Sequence, residues 1–182
     1  RLRDIHQRIA RQTARATGII EHLNSFAHGV DAPTIRFDLG RVADDIVALT
    51  ERLAQRHRLE QRCVAAGAEI SVTGSPFLVM QLVHACLDGL WNAAPPGAEI
   101  EVAPAGTTRD ARIDISCTPP PVGQPDWPTP GVSSLAERLG VRLGDRRDDR
   151  RRTITLSLPD AADDREAPGR PPERAGPEQG AS

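Results

Sequence analysis

The sequence predicts an α+β protein in which a long dimerisation helix is followed by an α/β sandwich. In residues 1–29, apolar residues recur at alternating steps of three and four, the spacing of a helix that packs against another helix. In residues 38–159, helices with N-terminal caps alternate with short strand-like segments. In residues 160–182, apolar side chains almost disappear. These contrasts divide the chain into a dimerisation helix with its linker (1–37), an α/β domain (38–159) and a disordered tail (160–182).

Composition excludes several classes of protein. The chain has 182 residues, of which 38% are hydrophobic and 26% charged, as in a globular protein with polar appendages. The formal charge of −2 provides no global field that would attract nucleic acid. No apolar run approaches the roughly 18 residues of a membrane span, and no signal peptide is visible. The three cysteines lack the spacing of metal ligands. We therefore expect a cytoplasmic protein with reduced thiols, no metal site and no membrane contact within this chain.

The first helix carries a seam of heptad type. Its members are Leu2, Ile5, Ile9, Ala16, Ile19, Leu23 and Phe26, with Gln12 in the one polar position. Such a stripe must be buried against another surface. The partner is either the rest of its own domain or a helical hairpin that dimerises into a four-helix bundle. We favour the bundle, and hence a homodimer, because nothing in the sequence precedes this helix to cover it.

The next elements follow from caps and periodicity. Gly29 and Pro33 end the first helix, and Asp38 is the N-cap of a second that runs to about Gln55. Two short strands are predicted near residues 61–65 and 69–73, with Gly67 at the turn between them.

A third helix begins with Ser75 as its cap and Pro76 at its first position, and runs to about Asn92. Alternating residues then predict strands at 99–102 and 111–115. A proline-rich loop (118–130), a short helix (132–139) and a closing hairpin of strands 141–143 and 153–158 complete the domain. The tail cannot bury enough apolar surface to fold.

This order of elements, together with several local sequences, resembles bacterial sensor histidine kinases. The matching order is the second helix of the dimerisation hairpin followed by the ATPase domain of the GHKL superfamily. The local sequences are Arg15 to Phe26, Phe37-Asp38-Leu39, Gly74-Ser75-Pro76 with Gln81, Pro95-Pro96-Gly97 with Glu99-Ile100, and 153–159. Each is weak alone, but their order and spacing over residues 1–159 make the set fairly specific. The resemblance implies a sandwich of the GHKL ATPase type.

The resemblance also locates a nucleotide pocket whose ligands are replaced. In the family, two asparagines four residues apart on the third helix lie by the phosphates, and one helps to hold magnesium. When the sequence is aligned with the family at Gln81 upstream and at Pro95-Pro96-Gly97 downstream, Ala85 and Gly89 fall at those positions. Neither side chain offers the oxygen ligand that magnesium requires.

A second box of the family, Asp-x-Gly-x-Gly, binds adenine through its aspartate. Here Cys117 takes the aspartate position, and Pro119 and Pro121 take the glycines. Cysteine is a poor acceptor, and proline lacks the positive φ of glycine and its backbone donor. The later glycine-rich box survives only as Gly131 and the residues around Ser133. The resemblance therefore implies a degenerate ATP site with no bound cofactor.

Two alternatives to this register remain open. One is that the register is wrong and these residues are ordinary loop positions of another α+β fold. The other is that Asp88 and Asn92, four residues apart beside His84, substitute for the lost asparagines and hold ATP and magnesium. That shift would move the metal site by about 5 Å, nearly one helical turn.

The implied function is that of a two-component signalling module acting in phosphotransfer or scaffolding, as in histidine phosphotransferases. Its implied partners are a second copy and the receiver domain of a response regulator. The alternatives are an active, divergent ATP-dependent sensor histidine kinase and a purely structural dimerisation domain. No catalytic residue is identified: His6, His22 and His28 are interpreted as solvated, and we expect any phosphoacceptor histidine to precede Arg1.

Overall fold

The computed structural model describes residues 34–122 and 127–159. In chain order the elements are β1 (Ile35–Asp38), α1 (Leu39–Arg56), β2 (Glu60–Cys63), β3 (Ser71–Gly74), α2 (Pro76–Ala93), β4 (Glu99–Ala105), β5 (Arg112–Thr118), α3 (Pro130–Leu139), β6 (Arg142–Arg147) and β7 (Arg152–Ser157). The predicted dimerisation helix and the predicted tail lie outside the described residues. No helix in the described ranges is long and apolar enough to cross a membrane.

The strands form two sheets. Five strands pair in the order β2-β4-β5-β7-β6, antiparallel except for the parallel pair β2-β4, while β1 and β3 form a separate antiparallel pair. Gly67 lies between β2 and β3 as predicted, but the two strands belong to different sheets and do not form a hairpin. Each is only four residues long and finds a partner that is remote in sequence, which local alternation does not reveal.

Several boundaries also differ from the sequence-based expectation. Residues 35–37, assigned to the linker, belong to β1 and pair with β3. Strand β6 extends to Arg147, well beyond the expected end at Leu143. Helix α3 begins at Pro130 instead of Val132, because the Thr129 hydroxyl caps it by accepting a hydrogen bond from the Val132 amide.

Caps start the two long helices where the sequence predicts them. Asp38 Oδ1 accepts hydrogen bonds from the amides of Gly40, at 3.1 Å, and Ile70, at 3.2 Å. The Asp38 carboxylate thus ties the start of α1 to the segment that enters β3. Ser75 Oγ accepts from the Leu78 amide at 3.4 Å, and Pro76 occupies the first turn of α2, where its missing N–H has no intrahelical partner to lose.

The core lies between the helices and one face of the five-stranded sheet. Alternate residues of β4, β5 and β7 point to this face and are at most 1% exposed: Ile100, Val102, Ile113, Ile115, Ile154 and Leu156. They pack in one cluster with the buried side of α2, which includes Leu82, Cys86 and Leu90. The opposite face of the sheet is polar and carries the Arg62–Glu101 ion pair.

A chain of hydrogen bonds links this core to the edge strand β2. Trp91 Nε1 donates to Gln61 Oε1 at 2.8 Å, Gln61 Nε2 donates to Thr50 Oγ1 at 2.8 Å, and Thr50 Oγ1 donates to the Ile46 carbonyl at 2.6 Å. Trp91 and Thr50 are each 3% exposed, so water does not reach them readily. Without Gln61 their polar groups would lose a hydrogen-bond partner at a cost in stability. The amide of Gln61 therefore couples α1, β2 and α2.

Replacing Gln61 with alanine is expected to lower the free energy of unfolding by about 1–3 kcal/mol, because it leaves the buried Trp91 N–H without its acceptor. Urea unfolding measures the change. Gln55→Ala is the matched control, since the Gln55 amide bonds to Glu51 on the exposed side of α1, and it should cost less than about 0.5 kcal/mol. Equal costs for the two substitutions would contradict a structural role for the buried chain.

Candidate functional site

Helix α2 carries the first pair of predicted pocket residues. Ala85 and Gly89 lie one turn apart on one face, both half-buried. Ala85 packs against the core cluster that also contains Cys117. Neither side chain carries a donor or acceptor atom, so these two positions offer no side-chain oxygen for a cation.

The polar side chains of α2, His84 and Asn92 among them, make contacts within the helix. Asn92 Nδ2 donates to the Asp88 carbonyl at 2.8 Å, and both side chains are exposed. The His84 ring makes an edge-to-face contact with Trp91, with 5.6 Å between the ring centroids. In the described ranges, no three His, Cys, Asp or Glu residues are grouped so that they could hold a metal ion. Asp88 and Asn92 are thus two oxygen-bearing side chains outside any such group.

Cys117 lies at the end of β5 on the face of the sheet that the helices cover. It pairs in register with Ile100 on β4 and Arg152 on β7, and it is fully buried. Its Sγ donates to the Pro119 carbonyl at 3.3 Å. Burial raises the pKa of the Cys117 thiol to about 11, against a smaller opposing effect of Arg152. The thiol is therefore neutral near pH 7, its proton is engaged, and it is a weak acceptor.

Arg152 puts a buried charge next to Cys117. The arginine is only 4% exposed on a sheet face that is otherwise apolar toward the helices. It is neutralised by Asp145 on the neighbouring strand β6: Nε donates to Oδ1 at 3.0 Å and Nη2 to Oδ2 at 2.8 Å. Two parallel hydrogen bonds of this kind fix the plane of the guanidinium as well as its position.

The indole of Trp127 covers this ion pair. Arg152 Cζ lies 5.7 Å from the centroid of the Trp127 ring, within the range of a cation–π contact. Trp127 is half-buried and packs against the core, and its Nε1 is buried without a hydrogen-bond partner among the described residues. Together, Cys117, Arg152, Asp145 and Trp127 fill one corner between the sheet and the helices; we call this group the Cys117 corner.

The remaining predicted residues are scattered around this corner. Pro119 follows Thr118 through a cis peptide bond and is exposed, whereas Pro121 is buried. Gly131 lies exposed in the first turn of α3, and a Cβ added there would meet no atom within 4 Å. A loop that wraps phosphates needs the backbone freedom of glycine, which Pro119 and Pro121 lack. At Gly131 the backbone does not adopt a positive φ, so another residue would fit there.

Sequence reasoning found Cys117 but missed its three neighbours. A signal was present for two of them. The alternation that puts Ile154 and Leu156 inside continues backwards to Arg152, and the alternation of Leu143 continues forwards to Asp145. A charged residue at a core-facing position of each adjacent strand indicates a pair. Trp127 had no such signal, because it lies in an irregular loop.

No protein-family model and no curated protein matches the chain. The chain does match solved structures. Histidine kinase AdeS of Acinetobacter baumannii has a TM-score of 0.60 at 12% identity, covering 86% of this chain and 84% of that chain. The catalytic domain of histidine kinase ThkA in a nucleotide-free form has a TM-score of 0.58 at 13% identity, covering 71% and 98%. ThkA in complex with the response regulator TrrA has a TM-score of 0.59 at 12% identity, covering 89% and 52%.

At these identities the similarity is evidence of fold alone. The described residues have the mixed α/β fold of histidine-kinase catalytic domains, so the predicted α/β sandwich is confirmed. The long dimerisation helix and the roles of the pocket residues stay predictions.

Proposed function

We propose that the chain is a cytoplasmic signal-transduction module of a two-component system. In this proposal it is a histidine-kinase-like core that has lost its ATP site and acts in phosphotransfer or scaffolding, as histidine phosphotransferases do. The fold shared with histidine-kinase catalytic domains supports the general assignment. The chemistry of the site supports the loss of ATP binding.

The observation that carries the proposal is the Cys117 corner. The resemblance places the adenine-binding carboxylate at Cys117. This residue has instead a neutral, buried thiol that donates a hydrogen bond to the Pro119 carbonyl. Beside it, the Arg152–Asp145 pair and the Trp127 indole occupy space between sheet and helices. An adenine amino group would meet a guanidinium, another donor, where the family offers an acceptor.

The other end of the pocket supports the same conclusion. The resemblance places Ala85 and Gly89, both on α2, at the positions of the two asparagines near the phosphates. Magnesium prefers near-octahedral oxygen ligands, and these two residues supply none from their side chains. The protein thus lacks matched groups for the base and for the metal, which are the two parts of Mg-ATP that fix its orientation.

The alternative, an active and divergent ATP-dependent histidine kinase, depends on Asp88 and Asn92. In favour of it, both side chains are exposed on α2 and carry oxygen atoms. Against it, the Asn92 amide nitrogen is bonded to the Asp88 carbonyl, and neither residue alters the Cys117 corner. We therefore place this alternative second.

The proposed partners are a second copy of the chain and the receiver domain of a response regulator. The similarity to ThkA in its complex with the response regulator TrrA motivates the second partner. Calorimetric titration with Mg-ATP tests the proposal directly. Absence of binding at millimolar nucleotide supports the degenerate module, and a dissociation constant well below millimolar contradicts it.

Dimerisation through residues 1–29 is expected from the heptad seam. Ile9→Asp combined with Leu23→Asp places two charges in the apolar stripe of each helix and should shift the chain from dimer to monomer in sedimentation equilibrium. Gln7→Asp with His22→Asp is the matched control, because both positions lie off the seam. A wild-type chain that is monomeric at high micromolar concentration would count against the bundle.

A further inference from the structure

A cleft rich in arginine lies on the far side of the domain from the Cys117 corner. It encloses about 440 Å³ where the turn between β4 and β5, the start of β6 and the end of β7 meet. Arg109, Arg112 and Arg142 line it, with Asp110 as the one carboxylate among its described lining residues. Pro159, the last residue that the structure describes before the tail, also lines it.

The cleft has an excess of positive charge. Arg112 forms an ion pair with Asp114, with 3.2 Å between Nε and Oδ2. Arg109 and Arg142 make no ion pair with any residue of the described ranges. The Asp110 carboxylate is turned to its own loop, where it accepts hydrogen bonds from the Thr107 amide and hydroxyl, which lower its pKa. Two guanidinium groups are therefore left for an anionic ligand.

The last described residues of the chain end at this cleft. The Leu158 amide donates to the Ala111 carbonyl at 2.9 Å, which fixes the end of the domain against the cleft wall. Pro159 then packs beside Gly140, and the next residue in the sequence is Asp160. Consecutive Cα atoms are about 3.8 Å apart, so the chain after Pro159 begins within reach of the cleft rim.

The segment that follows has the complementary charge. Residues 160–166 contain Asp160, Asp163, Asp164 and Glu166 against the single cation Arg165. At roughly 3.3–3.6 Å per extended residue, all four carboxylates can reach across the cleft. A short tether also holds them at an effective concentration of the order of millimolar, so weak individual ion pairs can still fill the site.

We propose that residues 160–166 bind in the arginine cleft of their own chain, with their carboxylates against Arg109 and Arg142. The contact is electrostatic and solvent-exposed, so it needs no apolar residues from the tail and is screened by salt. This inference does not depend on the function proposed for the Cys117 corner.

Nitrogen-15 spectra of the full chain test the proposal, with the arginine Nε–H signals resolved. The comparison variant is Asp160→Asn with Asp163→Asn, Asp164→Asn and Glu166→Gln, which keeps the length and removes the charge. At low salt, the Nε–H signals of Arg109 and Arg142 are expected to differ between the two proteins. In 1 M salt, where the Debye length is about 3 Å, the difference should disappear.

Two controls make the result specific. Glu173→Gln with Glu178→Gln neutralises the same tail further along and should leave both arginine signals in place. Arg109→Gln with Arg142→Gln should abolish the low-salt differences that the Asp160 variant causes at amides around Ala111. Identical low-salt spectra for the wild type and the Asp160 variant would overturn the proposal. So would equal shifts from the Glu173 variant, which would indicate a general effect of net charge.

Discussion

Titration of the full chain with Mg-ATP is expected to give no measurable binding up to millimolar nucleotide. In the register implied by the resemblance, Ala85 and Gly89 stand where the family has side-chain oxygens near the phosphates, and the neutral thiol of Cys117 stands where it has an acceptor for the base. A hydrogen bond to a charged group contributes about 1.5–3 kcal/mol. Because about 1.4 kcal/mol corresponds to tenfold in affinity, two or three such losses weaken binding by several orders of magnitude.

Isothermal titration calorimetry measures this binding, with magnesium alone and ATP without magnesium as blanks. A dissociation constant well below millimolar would refute the expectation and favour the active-kinase alternative. Asp88→Ala and Asn92→Ala would then abolish binding if the shifted stripe holds the metal. Gln81→Ala, a truncation at another exposed position of the same helix, is the matched control and should leave the affinity unchanged.

Restoring only the phosphate end should not restore binding. Ala85→Asn with Gly89→Asn returns the side chains that the resemblance implies, but it leaves Arg152 and Trp127 at the base end. If this double variant bound Mg-ATP tightly, the Cys117 corner would not be the obstacle that we propose.

The helices could be predicted from sequence because their signals are local. Asp38 and Ser75 bond to amides two and three residues ahead, and the apolar stripe of α1 repeats within a few turns. The sheet could not be predicted to the same extent. Strand β2 has only four residues, and its parallel partner β4 lies beyond an entire helix, so no local pattern names that partner.

The residues of the candidate site likewise fall into those that local sequence could locate and those that it could not. The register of α2 places Ala85 and Gly89 by counting along one helix, and the strand before Cys117 places that residue at the end of β5. The neighbours of Cys117 depend on which strands pair and in which register. Arg152 and Asp145 meet because β7 pairs with both β5 and β6, and this is a property of the folded sheet.

The Arg152–Asp145 pair is also the basis of the largest expected effect on stability. Arg152 is 4% exposed, so its charge has little water to solvate it once its partner is removed. Breaking a fully buried ion pair costs roughly 3–5 kcal/mol. The Asp145 side chain is 33% exposed, and partial hydration reduces this cost. Asp145→Ala is therefore expected to lower the free energy of unfolding by about 2–4 kcal/mol.

A double-mutant cycle separates the pair from the bulk of its side chains. Arg152→Met with Asp145→Ala removes both charges and keeps an apolar side chain under Trp127, so it should be less destabilising than Asp145→Ala alone. Asp149→Ala is the matched control: it is exposed on the turn of the same hairpin, makes no ion pair with the described residues, and should stay within about 0.5 kcal/mol of the wild type. Urea unfolding at constant pH gives the values for the wild type, Asp145→Ala, Arg152→Met, the double variant and the Asp149→Ala control. If Asp145→Ala costs no more than Asp149→Ala, the guanidinium is solvated in the folded protein, and the Cys117 corner is open enough for a ligand to enter.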